Sequence, residues 1–203
     1  MRKDVARRVF AALLIACFAA LAFLCVQGNA LMGLNAEVRH ERVNSSIYIE
    51  QREDGVLFVG GEGKLYGADM LALVESLGNK NDVRHMVIGD GITWLGSDAL
   101  NEFEGLRTLW LGRGMKEAAN GSLKWCTALQ YVFLPSGLER VGRDFLYGCK
   151  KCTVVTDAAL EDLPKLRNTS NKRVLERIDS YDALAAALGE DAKLPAAMRQ
   201  WWP

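Results

Sequence analysis

The sequence predicts an α+β fold: a short solenoid of 23-residue units with a parallel strand ladder, held between mixed N- and C-terminal caps and preceded by an N-terminal transmembrane or signal helix. Three observations predict it. First, Val83 to Gly105, Leu106 to Ala128 and Leu129 to Lys151 repeat one another. Val83, Leu106 and Leu129 come first in each unit, Met86, Leu109 and Val132 fourth, and Ile88, Leu111 and Leu134 sixth. Second, Gly91, Gly114 and Gly137 share the ninth position. Apolar residues recurring in register at such a period mark units that cannot bury their cores alone and stack on one another. Third, Val9 to Val26 is an 18-residue run without charge, at the N-terminus.

Residues 1–30 therefore read as a signal peptide or membrane anchor. Arg2, Lys3, Arg7 and Arg8 precede the apolar run, which would keep that end in the cytoplasm and send the repeats out. Cleavable signals have apolar regions of roughly 7–15 residues, so the longer run favours a retained anchor, although Gly28-Asn29-Ala30 is a passable cleavage site. Leu14-Ile15-Ala16-Cys17 resembles a bacterial lipoprotein processing site, but Phe18 to Val26 stays apolar where such proteins turn polar. Residues 31–46 mix charge and small residues without periodicity and read as a juxtamembrane spacer.

Residues 47–82 read as an N-terminal cap. Ile47 to Glu50 and Val56 to Val59 are β-type runs separated by Asp54-Gly55, a hairpin signal. Met70, Leu73, Val74 and Leu77 recur at helical spacing until Gly78-Asn79. In the repeats, residues 83–157, Leu109 and Leu111 alternate with Thr108 and Trp110, as a half-buried strand requires. The ninth-position glycine follows, read as a tight reversal demanding positive φ. Ile92 and Leu95, Met115 and Ala118, Leu138 and Val141 then point inward. Leu100, Leu123 and Leu146, followed by Phe103, Cys126 and Cys149, fill the back. A fourth strand begins at Cys152, after which the period fails. In the C-terminal cap, residues 158–203, Lys165 to Arg173 reads as a loop and Arg173 to Ile178 as a strand. Asp179-Ser180 can cap a helix from Tyr181 to Leu188 that ends at Gly189, and Pro195 suits the start of a terminal helix carrying Trp201-Trp202.

Composition excludes several functions. The 203 residues are 50% hydrophobic with zero formal net charge, and no basic stripe suited to nucleic acid is present. Of five cysteines, Cys17 and Cys25 fall in the apolar run. The odd remainder of Cys126, Cys149 and Cys152 cannot all pair within an exported chain. Cys149-Lys150-Lys151-Cys152 has the spacing of a redox or metal motif, but both sulfurs stand in core columns and no second pair or nearby histidine completes a zinc site. His40 and His85 are the two histidines, too few for a nucleophilic triad. No catalytic residue, metal or cofactor is expected.

Strand alternation puts the second, third and fifth residues of each unit on the outer strand face. The fifth column is Val87, Trp110, Phe133 and Thr156, and the third is His85, Thr108, Tyr131 and Val154. With strands about 4.8 Å apart, Trp110, Phe133 and Tyr131 form one aromatic patch beside Val87. Arg84, Arg107 and Gln130 add a partly basic edge. Exposed patches of this kind mark interaction sites. The expectation is a protein or glycan partner bound outside the cell through Trp110, Phe133, Tyr131, Val87, His85 and Arg107. The alternative is that the helix near Tyr181 or the Trp201-Trp202 tail folds over this face, leaving a scaffold or self-association unit. A weaker alternative is a thiol oxidoreductase using Cys149 and Cys152.

The units resemble those of the BspA-like leucine-rich repeat proteins, common on bacterial surfaces and found in some protists. Leu129, Val132, Leu134-Pro135, Gly137, Val141-Gly142, Phe145-Leu146 and Gly148-Cys149 fit that unit best. Ile88-Gly89, Gly91, Leu95-Gly96 and Ala99-Leu100 match in the first unit, where Phe103 replaces the family's Cys. In the middle unit Ala118-Ala119 replaces an Ile-Gly pair. Gly55 to Gly61 looks like the strand that often introduces such arrays. The resemblance covers about a third of the chain. It implies a surface-exposed binding or adhesion module and carries over no catalytic residues.

Overall fold

The computed structural model describes residues 39–42, 46–52, 55–164, 172–189 and Arg199. The expectations for Val9 to Val26, Gly28-Asn29-Ala30, Pro195 and Trp201-Trp202 lie outside the described residues. Among the described residues no helix is long and apolar enough to cross a membrane.

Strands β1 (Arg39–Arg42), β2 (Ile47–Gln51) and β3 (Val56–Gly61) pair antiparallel in that order. The hairpin forms where the alternating runs placed it. Strand β1 lies within the segment read as a spacer: a charged stretch without periodicity can still add to a sheet edge, where charge is tolerated. Strand β4 (Gly63–Leu65), helix α1 (Gly67–Leu77) and a 3₁₀ turn (Lys80–Asp82) follow. Met70 and Val74, four apart on α1, are both buried, as a stripe of helical period requires.

Each unit then contributes two strands: β5 (His85–Ile88) and β6 (Ile92–Leu95), β7 (Thr108–Leu111) and β8 (Glu117–Ala118), β9 (Tyr131–Leu134) and β10 (Arg140–Val141). Strand β11 (Thr153–Thr156) continues the first series, and β12 (Arg173–Leu175) and helix α2 (Tyr181–Leu188) complete the described elements. The first sheet has eight strands, ordered β1-β2-β3-β5-β7-β9-β11-β12 and parallel from β3 onward. A second sheet, wholly parallel, runs β10-β8-β6-β4.

Hydrogen bonds also close the back of each coil. Asp98, Leu100 and Glu102 donate their N–H groups to the carbonyls of Asn120, Ser122 and Lys124 one coil on, and Gly121, Leu123 and Trp125 do the same to Arg143, Phe145 and Tyr147. Side chains add rungs of the same 23-residue spacing: Asp90 Oδ1 accepts from Arg113 N at 2.7 Å and Asn120 Oδ1 from Arg143 N at 2.8 Å. The core runs inside these walls, from Ile47 and Ile49 through Met86, Leu109 and Val132 to Val154. With backbone polar groups paired between coils, the interior columns can be wholly apolar.

Two details differ from the sequence reading. The ninth-position glycines have no positive φ. They are required by close approach: a Cβ on Gly91 would overlap the Gly61 carbonyl oxygen, one on Gly114 the Asp90 carbonyl oxygen, and one on Gly137 would sit 3.1 Å from that of Arg113. Positive φ belongs to the back of the coil, at Asp98, Gly121 and Asp144 and again at Glu102, Trp125 and Gly148. Secondly, Tyr131 pairs with Thr153, so the last interval is one residue short. Val155 therefore occupies the outer row assigned to Thr156, and Val154 turns inward.

Candidate functional site

The first sheet gathers the expected residues. Its register sets Phe58, Val87, Trp110, Phe133, Val155 and Leu175 in one transverse row across six strands. Val56, His85, Thr108, Tyr131, Thr153 and Arg173 form the next. The Trp110 and Phe133 rings stack 3.8 Å apart at 10°. His85 Nδ1 lies 2.8 Å from the buried Thr108 hydroxyl. At the N-terminal end of the row, the Arg52 guanidinium sits 5.0 Å from the centre of the Phe58 ring and pairs with Glu50 at 3.2 Å.

The expectation of an open face is corrected. Val87, Trp110 and Phe133 are 1%, 2% and 4% exposed, because Ile178 and the apolar side of α2 lie over them. Leu184 projects from α2 into this second core, with Tyr181, Ala183, Ala187 and Leu188 packed around it. The helix forms where the sequence put it: the Ser180 hydroxyl accepts from Ala183 N at 3.2 Å, and Gly189 at φ +80° ends it. The physical reason for the covering is the width of the row. Six apolar positions on one sheet face make a patch that costs too much to leave in water, and among the described residues the C-terminal cap supplies its second layer. His85 and Tyr131 are half-buried at the margin, and Arg107 is exposed.

The three thiols are structural. Cys126, Cys149 and Cys152 are free and buried, within the same core as Leu129 and Phe145. Cys126 Sγ donates to the Leu100 carbonyl at 3.1 Å and Cys149 Sγ to that of Leu123 at 3.0 Å, so each satisfies a back-wall acceptor one coil away. Contact with the Cys149 thiol and then burial push Cys126 up, and burial pushes Cys152 up. Contact with Cys126 moves Cys149 in the opposite direction. A redox role for Cys149 and Cys152 needs sulfur that a substrate can reach, and the repeat has spent both on packing.

The open surface lies on the second sheet, which the sequence reading passed over. Lys64, Trp94, Glu117 and Arg140 are neighbours across β4, β6, β8 and β10 and point outward. Tyr66, half exposed at 50%, tilts against Trp94 with ring centres 5.1 Å apart, and Lys64 Nζ lies 5.6 Å from the Trp94 ring. Arg140 Nη2 donates to Glu117 Oε1 at 2.6 Å. Beside this row is an open groove of about 450 Å³ bounded by Trp94, Ser97, Asn120, Arg140 and Arg143. Ile92 and Leu95, three apart, both point inward, so strict alternation breaks between them at the register shift opposite Gly63 and Lys64, and Trp94 is left outside.

A 23-residue unit that lays down one strand in each of two parallel sheets, with apolar columns inside and a hydrogen-bonded back, decides the architecture. The chain is a solenoid of 23-residue units whose residue pattern resembles that of BspA-like leucine-rich repeats. Two solved structures are similar to part of this chain. A leucine-rich repeat protein from Eubacterium ventriosum is 11% identical over 61% of this chain and 45% of its own, with a TM-score of 0.39. A leucine rich cell surface protein from Faecalibacterium prausnitzii is 14% identical over 58% of this chain and 42% of its own, with a TM-score of 0.31. The repeat chain thus spans under half the length of either. No family model and no curated protein match it.

Proposed function

We propose that this leucine-rich-repeat chain is a non-catalytic, extracytoplasmic binding module that takes a protein or glycan partner on the outward face of its second sheet. One observation carries the reading: the aromatic row of the first sheet is filled by the protein's own α2, while Trp94 and Tyr66 remain accessible beside a groove edged by Asn120, Arg140 and Arg143. Half-exposed rings flanked by amide and guanidinium donors suit sugar stacking and protein hot spots alike. A rigid ladder beneath them limits the entropy lost on binding. The basic residues before Val9 to Val26 support export of the repeats.

The test is retention on an array of glycans and extracellular-matrix proteins. Trp94→Ala should abolish retention that Trp110→Phe leaves intact. Equal retention by both variants sinks the assignment to the second sheet. Burial of Trp110 favours a second reading, a scaffold or self-association unit. Light scattering separates the two, since that reading requires a defined oligomer and no partner that is sensitive to Trp94.

A further inference from the structure

The repeat builds the second-sheet groove from two columns. Trp94, Glu117 and Arg140 stand 23 residues apart in one, and Ser97, Asn120 and Arg143 in the other, with the small residues Ala119 and Gly142 between them. Lys64 and Tyr66 reach Trp94 from β4, on one side of β6, while the groove lies towards β8 and β10 on the other. The indole therefore keeps a side for the groove. The polar groups divide unevenly. Glu117, the carboxylate of the described lining, accepts from Arg140 at 2.6 Å, so those two charges offset each other. Asn120 Oδ1 accepts from Arg143 N at 2.8 Å, which fixes the carboxamide and leaves its NH₂ without an acceptor among the described residues. The Arg143 guanidinium, at an exposed position, likewise has no partner among the described residues. Asp98 and Asp144 belong to the next column round the coil, where Asp98 Oδ1 leans over Gly121, and neither lines the groove. What remains uncommitted is a cation and amide donors beside an indole.

Resting on the second-sheet reading, we infer that the groove takes an acidic saccharide: a sugar ring lies on Trp94, its carboxylate meets the Arg143 guanidinium, and a ring hydroxyl accepts from the Asn120 NH₂. A carboxylate matches the planar fork of a guanidinium and is bound by charge-assisted hydrogen bonds. The C–H face of the ring covers the indole and removes apolar surface from water. An acidic peptide would satisfy Arg143 equally, but its backbone N–H groups would meet a lining whose carboxylate is already taken. The groove's volume of about 450 Å³ lies within the roughly 300–1,000 Å³ of small-ligand sites and admits a short saccharide.

The test titrates the full-length, ¹⁵N-labelled chain in mild detergent with methyl β-glucuronide and follows it by NMR. Saturable shifts of the Trp94 indole, Asn120 NH₂ and Arg143 Nε signals are expected in the millimolar range. Methyl β-glucoside, the same ring without the carboxylate, should bind about tenfold more weakly, the worth of a charge-assisted hydrogen bond. Arg143→Gln, which keeps the backbone N–H that Asn120 accepts, should bring the glucuronide down to the affinity of the glucoside, and Trp94→Ala should weaken both sugars. No saturable shift, equal affinity for the two sugars, an unchanged glucuronide titration in Arg143→Gln, or N-acetyl-glutamate-N′-methylamide bound as tightly as the glucuronide would each overturn the acidic saccharide. In any of these cases, loss of array retention in Trp94→Ala leaves the second-sheet reading standing; Trp94→Ala without effect on either array or titration brings both down.

Discussion

Leu184→Asp should lift α2 off the first sheet without unfolding the solenoid. Leu184 is 3% exposed, and burial of such a side chain contributes about 1.5–3 kcal/mol. The substitution forfeits that and sets a carboxylate against Trp110, Phe133 and Val155, where it has no partner to offset its desolvation. An eight-residue helix cannot persist on its own, so α2 should detach and melt together. The main core contains no α2 residue, so the coils should stay folded. The assay is quenching by acrylamide, with the Trp110 signal isolated as the difference between each protein and its Trp110→Phe counterpart, alongside far-UV circular dichroism. Leu184→Asp should make Trp110 readily quenched while the β signal persists. Ala185→Asp, one residue along on the exposed side, should change neither. If Trp110 stays shielded after Leu184→Asp, something other than α2 covers the face; if the β signal collapses with it, the two cores are one cooperative unit, and the separation drawn between them fails.

Three further outcomes follow from the packing. Gly114→Ala and Gly114→Asn should be about equally destabilising, by roughly 1–3 kcal/mol as overpacked core changes are, whereas at Gly148, with φ +83°, Asn should be tolerated better than a β-branched residue; denaturant melts of the four proteins decide it. Because burial pushes Cys152 up when folded, it stays protonated after the unfolded thiol ionises near about pH 8.5. Its contribution is therefore complete below that pH and declines above it; urea melts at pH 8 and 10 should show the loss, and Cys152→Ala should flatten it. Arg140→Ala should cost no more than about 1 kcal/mol despite its short bond to Glu117, since the pair is solvent-exposed, and thermal melts with and without added salt give the comparison.

Much of this fold was legible because a repeat tests each inference three times. Leu106, Leu109 and Leu111 predict the interior of the second coil, and Val83, Met86 and Ile88 set the same apolar pattern one unit earlier. The helix from Tyr181 to Leu188 was legible from Ser180 and Gly189, local features that act within one turn. What escaped was whatever depends on contact between distant elements. The ninth glycine could be excused by φ or by proximity, and only the neighbouring carbonyl of the previous coil tells which. The residue missing between Cys152 and Thr153 leaves no mark in composition, yet it turns Val155 to the outer row and Val154 to the core. The outer row was grouped with Thr156 where Val155 stands, and its covering depended on where α2 came to rest, which the sequence left open between two outcomes.

The two sheets divide structural and interactive work for a reason visible in their strand lengths. On the first sheet every unit gives four residues, and the outer row that results is apolar across six strands, so it demands a second layer and receives α2. On the second sheet β6 has four residues, but β8 and β10 have only two. A strand of two residues places a single side chain outward, and here that residue is Glu117 or Arg140, which water solvates at no cost. Where β8 and β10 stop short, Gly142 packs tightly on the Asn120 backbone, and the shortened edge leaves the groove beside Trp94. A face that needs no cover and carries one half-exposed indole is the face a partner can reach without first displacing part of the protein. For that reason Trp94, rather than the larger and better-stacked surface around Trp110, carries the ring whose removal should be felt in binding.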